Sequence, residues 1–195
     1  MHRNFGLCRK TGHFIVSNPQ DVGYPLVGYV DFRSDGLRLR IKDLHTGEDT
    51  DSLLIPNRNV QGESVVDNFV WDYDAATGRF VLAFTDQNKL LTGRITGGKL
   101  EDIKVLAGES MPNKIYYTDV KIDGDKLLAL TQEDVNLDTY EGQSWIEVYD
   151  FEGNPIRKIK LPVLAQTMVI DQNRSTVFLV SATDDNLYSF SKQSL

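Results

Sequence analysis

Ser144–Pro162 reads SWIEVYDFEGNPIRKIKLP. Trp145 to Phe151 is an aromatic and β-branched run, Glu152-Gly153-Asn154 supplies turn residues, and Pro155 to Pro162 resumes as an alternating basic run. That order predicts a β-hairpin. A helix fits badly, because the apolar residues lack a 3.6-residue period and Pro155 and Pro162 bracket the second run. Upstream, KIYYTDVKIDGDKLLALTQ divides at Asp123-Gly124 into one strand and the apolar run Leu127 to Leu130. The four runs together predict an antiparallel meander.

The same cycle can be laid over the rest of the chain. NFVWDY, RFVLAF, LLTGRIT and LEDIKVL give a second meander, and NFGLC, HFIVSN, YPLVGYVDF and LRLRIKDL give an earlier one. At the end QTMVID, TVFLVS and NLYSFSK give three strands. The second strand of each cycle begins near His13, Arg79, Lys126 and Thr176, spacings of 66, 47 and 50 residues. Propeller blades repeat at about 40 to 50 residues, so one insertion is long. The sequence therefore predicts an all-β fold, a partial β-propeller of about four antiparallel four-stranded blades with the last incomplete. Its blades fall at residues 4–44, 68–107, 115–161 and 165–192 of a single domain, with an insertion at 45–67. Second strands such as FVLAF and LLAL are continuously apolar, as burial on both faces requires. Fourth strands alternate, as an edge guarded by charge should. Short, evenly spaced strands also describe β-sandwiches and barrels, and the pattern alone leaves those open.

The 195 residues carry 41% hydrophobic and 25% charged side chains, an ordinary globular composition, with a net charge of −7. Nucleic acid is disfavoured as a partner, since phosphate recognition needs a basic patch. The lone Cys8 forms no internal disulfide. MHRNFGLCRK lacks the apolar core of a signal peptide, Leu7 spoils a lipoprotein cleavage box, and no run predicts membrane insertion.

The segments NFVWDYDAATGRFVLAF and IEVYDFEGNPIRKIKLPVLAQTMVIDQNRSTVFLVSATDDNLYSF resemble the C-terminal half of the TolB-like six-bladed β-propeller proteins of the bacterial envelope. The resemblance covers roughly residues 60 to 190 and rests on strand and turn texture, YDFEGNPI above all. It implies a propeller fold and a place in the cell envelope. It brings no catalytic residues. Fewer blades than six lead to the expectation of a fragment, whose uncovered apolar blade faces predict self-association.

Signatures of known chemistry are sparse. His2, His13 and His45 have no second ligand at metal-binding spacing, and Cys8 beside His13 reads as a buried thiol rather than a nucleophile. No Gly-x-Ser-x-Gly elbow is present, and TGRITGGK lacks P-loop spacing. In EDVNLDTYEG, Asp134, Asn136 and Asp138 have the one-three-five spacing of a calcium loop. Thr139 then stands where glycine is needed, and Trp145 where the bidentate glutamate belongs. Calcium is the one cofactor this chain suggests, and weakly.

In a propeller, the loops joining strands two and three share a face with the connections between blades. On that assignment the face receives 14 of the 28 acidic residues and 3 of the 21 basic ones. Its candidate ligand-binding residues are Asp49, Asp51, Asp67, Asp86, Asp134, Asn136, Asp138, Asp184 and Asp185. The expectation is a non-enzymatic binding or scaffolding module whose acidic loop face meets a cationic protein or a carbohydrate. The alternatives are a fragment of a propeller lyase or glycosidase working with loop carboxylates, or an inactive remnant.

Overall fold

The computed structural model describes residues 19–33, 36–56, 68–111, 114–136, 138–139 and 141–194. They form four antiparallel sheets, three of four strands and a last one of three, and a closing 3-10 turn at Lys192–Ser194. The all-β partial propeller expected from the sequence is the fold observed. Among the described residues no helix is long and apolar enough to cross a membrane. The chain divides into two compact units, one of residues 1–66 with 95–101, the other of residues 67–94 with 102–195.

In the first unit β1 (Gln20–Asp21), β2 (Leu26–Arg33), β3 (Gly36–Asp43) and β4 (Asp49–Pro56) pair in chain order. Leu37, Leu39 and Ile41 alternate along β3 with no exposed surface. On its other face Arg40 pairs with Asp31 at 2.9 Å. This arrangement differs from the sequence reading. The stretch assigned to an insertion, residues 45–67, contains β4, which pairs with β3 from Gly36↔Pro56 to Lys42↔Asp49. LRLRIKDL is thus an inner strand rather than a blade edge. Its alternation arises because Arg38 and Arg40 occupy one face of a strand flanked on both edges. Residues 4–18 of the opening meander, Cys8 and His13 among them, lie outside the described residues, as does His2.

The second unit starts with β5 (Phe69–Asp74), β6 (Arg79–Phe84), β7 (Lys89–Thr96) and β8 (Lys99–Ala107). The tip of the β7–β8 hairpin belongs to the first unit. There Thr50 Oγ1 donates to Gly98 O at 2.9 Å, and Leu100 N–H donates to Asp51 at 2.9 Å. The next sheet comprises β9 (Tyr117–Asp123), β10 (Lys126–Asn136), β11 (Glu141–Asp150) and β12 (Pro155–Lys160). The last comprises β13 (Ala165–Asp171), β14 (Thr176–Ser181) and β15 (Leu187–Ser191). Trp71 and Trp145 both stand on strands, and SWIEVYDFEGNPIRKIKLP is the hairpin β11–β12. Gly153 turns it with φ +89°, a conformation that costs glycine little, and its N–H donates to Asp150 O at 3.1 Å.

Apolar layers join these three sheets. Val81 and Ala83 of β6 pack with Leu127 and Ala129 of β10. Leu128 and Leu130, pointing the other way from β10, pack with Val177 and Leu179 of β14 and with Met168. Burial on both faces is why FVLAF and LLAL carry no alternation. Truncating one such leucine to alanine costs about 2–5 kcal/mol. Polar links add direction on the inner strands: Ile122 N–H donates to Asp72, and Met168 N–H to Asp119, each at 2.8 Å.

Candidate functional site: an acidic cleft beside the end of β10

A cleft of about 760 Å³ opens in the second unit where three connections meet. Asp86 comes from the β6–β7 turn, Met111, Lys114 and Ile115 from the β8–β9 connection, and Gln132, Glu133, Asp134 and Val135 from the end of β10. Backbone and side-chain bonds fix the connection against the turn. Tyr116 N–H donates to Thr85 O at 2.7 Å, Gly108 N–H to Asn88 O at 2.8 Å, and Asn88 N–H to Ser110 Oγ at 3.0 Å. The Tyr117 hydroxyl donates to Asn88 Oδ1 at 2.8 Å, and Met111 N–H donates to the Tyr116 hydroxyl at 2.6 Å. Lys114 Nζ lies 5.1 Å from the Tyr116 ring centroid, within cation–π range.

The far wall depends on an irregularity. Pairing of β10 with β11 shifts between Glu133 and Asn136, and Asp134 adopts φ +53° there. A bulge of this kind re-aims side chains at a strand end. Gly142 sits opposite, where an added Cβ would come within 3.0 Å of Val135 Cα, so only glycine lets the two strands approach this closely. Gln132 anchors the wall from behind by donating from Nε2 to Ala165 O at 2.7 Å.

Glu133 is the best-connected acid of the cleft. Lys158 of β12 reaches it at 2.8 Å and Glu147 at 3.0 Å. That hydrogen bond from Lys158 holds the Glu133 carboxyl below its ordinary range, against a smaller opposing effect of burial. Lys158 and Lys160 lie over the Trp145 ring at 4.9 and 5.6 Å, so the indole backs the ion pair. Tyr149 donates to Glu147 from the same sheet.

The candidate acids are distributed unevenly. Asp86 and Asp134 line this one cleft. Asn136 accepts from Asp138 N–H at 2.9 Å and Thr139 N–H at 3.4 Å, which closes an Asx turn in the neighbouring loop. Asp138 is exposed there. Asp184 accepts from Asn186 and, at 2.9 Å, from the Tyr188 hydroxyl. Hydrogen bonds from Ser181 first, then Asn186, lower its carboxyl to about 2. Asp185 follows with φ +55° in the same turn. In the first unit Asp49 pairs with Arg40 and accepts from the Tyr29 hydroxyl at 3.2 Å, while Asp51 holds Leu100 N–H. Asp67 lies outside the described residues. Among the described residues no three His, Cys, Asp or Glu side chains are grouped to hold a metal ion.

Met111, Ile115 and Val135 are cleft residues that sequence reasoning did not single out, whereas Lys114 is one of the three bases it placed on the acidic face. The bulge that places Val135 depends on pairing across β11. The Trp145–Lys160 pairing rests on a register shift between Val148 and Tyr149, because a turn centred on Gly153 alone would set Trp145 opposite Leu161.

No protein-family model and no curated protein matches the sequence. Among solved structures, the chain is similar to the WD40 domain of Toxoplasma gondii coronin, with a TM-score of 0.59 at 8% identity over 91% of this chain and 42% of that one. A β-propeller domain from Myceliophteria thermophila gives 0.56 at 14% identity, over 85% of this chain and 50% of that one. A putative 6-phosphogluconolactonase from Bacteroides fragilis gives 0.55 at 12%, over 85% and 47%. These likenesses define the class of protein: the fold is that of the β-propellers. The chain spans about half the length of the propellers it matches.

Proposed function

We propose that this β-propeller module is a non-enzymatic, TolB-like binding or scaffolding unit that takes a basic, partly apolar segment of another protein into the cleft beside β10. The observation that carries the reading is the composition of one cavity: Asp86, Glu133 and Asp134 stand beside Met111, Ile115 and Val135. A lysine or arginine side chain has the matching form, an aliphatic stem with a charged head. The depressed Glu133 carboxyl favours binding over proton transfer, because a general acid needs a raised value. Lys114, which also lines the cleft, selects against segments whose charge is purely positive and supplies a partner for one acidic residue of the bound chain.

The test is calorimetric titration with an arrayed set of Lys- and Arg-containing peptides alongside neutral and acidic oligosaccharides. Binding of basic peptides that weakens with salt and is lost in Asp86→Asn/Asp134→Asn supports the reading, since exposed charge contacts are screened. Binding of oligosaccharides alone, or peptide binding indifferent to both substitutions, overturns it.

A further inference from the structure

We propose that a pocket at the ends of β6 and β7 opposite the cleft is a binding site for a phosphate group. It measures about 350 Å³, within the range of small-molecule sites, and lies wholly in the second unit. Three bases line it: Arg79 at the start of β6, Arg94 on β7 and Lys104 on β8. Its two acids are Asp102 and Glu152, so the lining nets +1 in a chain that nets −7. Phe151 of the β11–β12 turn lines the same pocket.

Arg79 is held in place without an acidic partner. Its guanidinium lies 4.3 Å from the Phe151 ring centroid and donates to Gly124 O at 3.4 Å, and among the described residues no carboxylate pairs with it. Asp74 stands opposite it across β5–β6, but that carboxylate accepts from Ala76 N–H at 3.1 Å and from the Thr77 hydroxyl at 2.6 Å in its own turn. On its other edge Arg79 is the register partner of Arg94. Like charges set directly opposite weaken a strand pair, and an anion that both can reach removes that cost. The other two bases are loosely held. Arg94 is 4.0 Å from Asp102 and Lys104 is 3.7 Å from Glu152, against about 2.7–2.9 Å for a charge-assisted hydrogen bond. Both pairs are open to water, where such contacts contribute little. Thr92 of β7, almost fully buried, also lines the pocket, and among the described residues its hydroxyl makes no hydrogen bond. A phosphate group suits this set, since it carries roughly two negative charges at neutral pH and accepts hydrogen bonds from guanidinium, ammonium and hydroxyl groups together. Asp102 and Glu152 disfavour ligands with further negative charge, polyphosphates and nucleic acid among them.

Calorimetric titration of the whole chain with inorganic phosphate and with glycerol phosphate, at constant ionic strength, tests this. The expected result is saturable binding that weakens at least about tenfold in Arg94→Gln and in Lys104→Gln, the effect of one lost charge-assisted hydrogen bond. Both side chains are half exposed, so the variants keep the wild-type melting temperature, and either one suffices if the other folds poorly. Asp102→Asn, which releases Arg94 and keeps a residue type suited to the backbone at φ +52°, binds more tightly than wild type. Arg174→Gln, at an exposed base of the β13–β14 turn, leaves binding unchanged. Tighter binding of the ester than of inorganic phosphate gives the rest of the pocket to an organic group, and equal affinity confines recognition to the phosphate; both support the proposal. No saturable binding at millimolar concentrations, or binding indifferent to both Arg94→Gln and Lys104→Gln, overturns it.

Discussion

Asp119 of β9 holds Met168 of β13 at 2.8 Å through the main-chain N–H, across 49 residues of sequence. The same carboxylate accepts from Val120 N–H and Lys121 Nζ, each at 2.8 Å, and from the Thr167 hydroxyl at 2.5 Å. It is almost fully buried. Every lone-pair direction is used, which is the condition under which a buried charge is tolerated. Removing it strands the Met168 donor and leaves Lys121 without its carboxylate.

Asp119→Ala is accordingly expected to destabilise the protein by about 3–5 kcal/mol, and Asp72→Ala, which takes the acceptor from Ile122 N–H and Tyr73 N–H, by about 1–3 kcal/mol. Urea titration followed by far-UV circular dichroism measures both. Equal losses at the two positions would contradict the larger contribution assigned to the Asp119 network.

The pH responses of Glu133 and Asp72 have opposite signs. Glu133 titrates below its ordinary 4.5, so it contributes stability present above pH 4.5 and lost as pH falls through the folded value. Asp72 is raised above 3.8, by burial first, so its contribution is fully present below pH 3.8 and lost as pH rises through the folded value. Relative to wild type, Glu133→Gln should therefore lose less stability on acidification from neutral pH, and Asp72→Asn should gain less. Unfolding curves at a series of pH values measure both differences, and parallel curves would contradict them.

Gly142→Ala is expected to cost about 1–3 kcal/mol, because its Cβ meets backbone that must shift. Since the displaced strand carries Asp134, the variant should also bind basic peptides more weakly than wild type at a temperature where both are folded. A purely thermal effect with unchanged peptide affinity would separate the bulge from the cleft.

Calcium tests the loop that carries the one-three-five spacing. Asn136 is occupied with Asp138 and Thr139 N–H, so the melting temperature is expected to be the same in millimolar calcium as in sodium of equal ionic strength. A rise specific to calcium would signal a native-state ligand, by linkage.

What could be read in advance follows from the range of the interactions involved. The β11–β12 hairpin was legible because its turn, alternation and prolines are local signals. β4 was not: DTDSLLIP opens with two acids and ends in proline, which gives it the texture of a loop, and it becomes a strand through pairing with β3. The calcium-like spacing falls across the end of a strand that was equally hidden, since β10 runs on to Asn136 beyond its apolar run by pairing with residues 141–144. Asp86 and Asp134 could be named as acids of one face. Their shared cleft with Lys114, and the Lys158 that tunes Glu133, depend on contacts between distant segments that no local pattern records.

The two amides held by Asp72 and Asp119 make each joint separately observable. Their bonding partners lie on a neighbouring sheet, so their exchange with deuterated solvent reports the undocking of that sheet rather than the opening of a strand pair. Exchange at Ile122 reads the joint between β5 and β9, and exchange at Met168 the joint between β9 and β13. In a repeat architecture, where stability is a sum of units and nearest-neighbour couplings, two backbone protons thus give the coupling at each successive joint without any substitution.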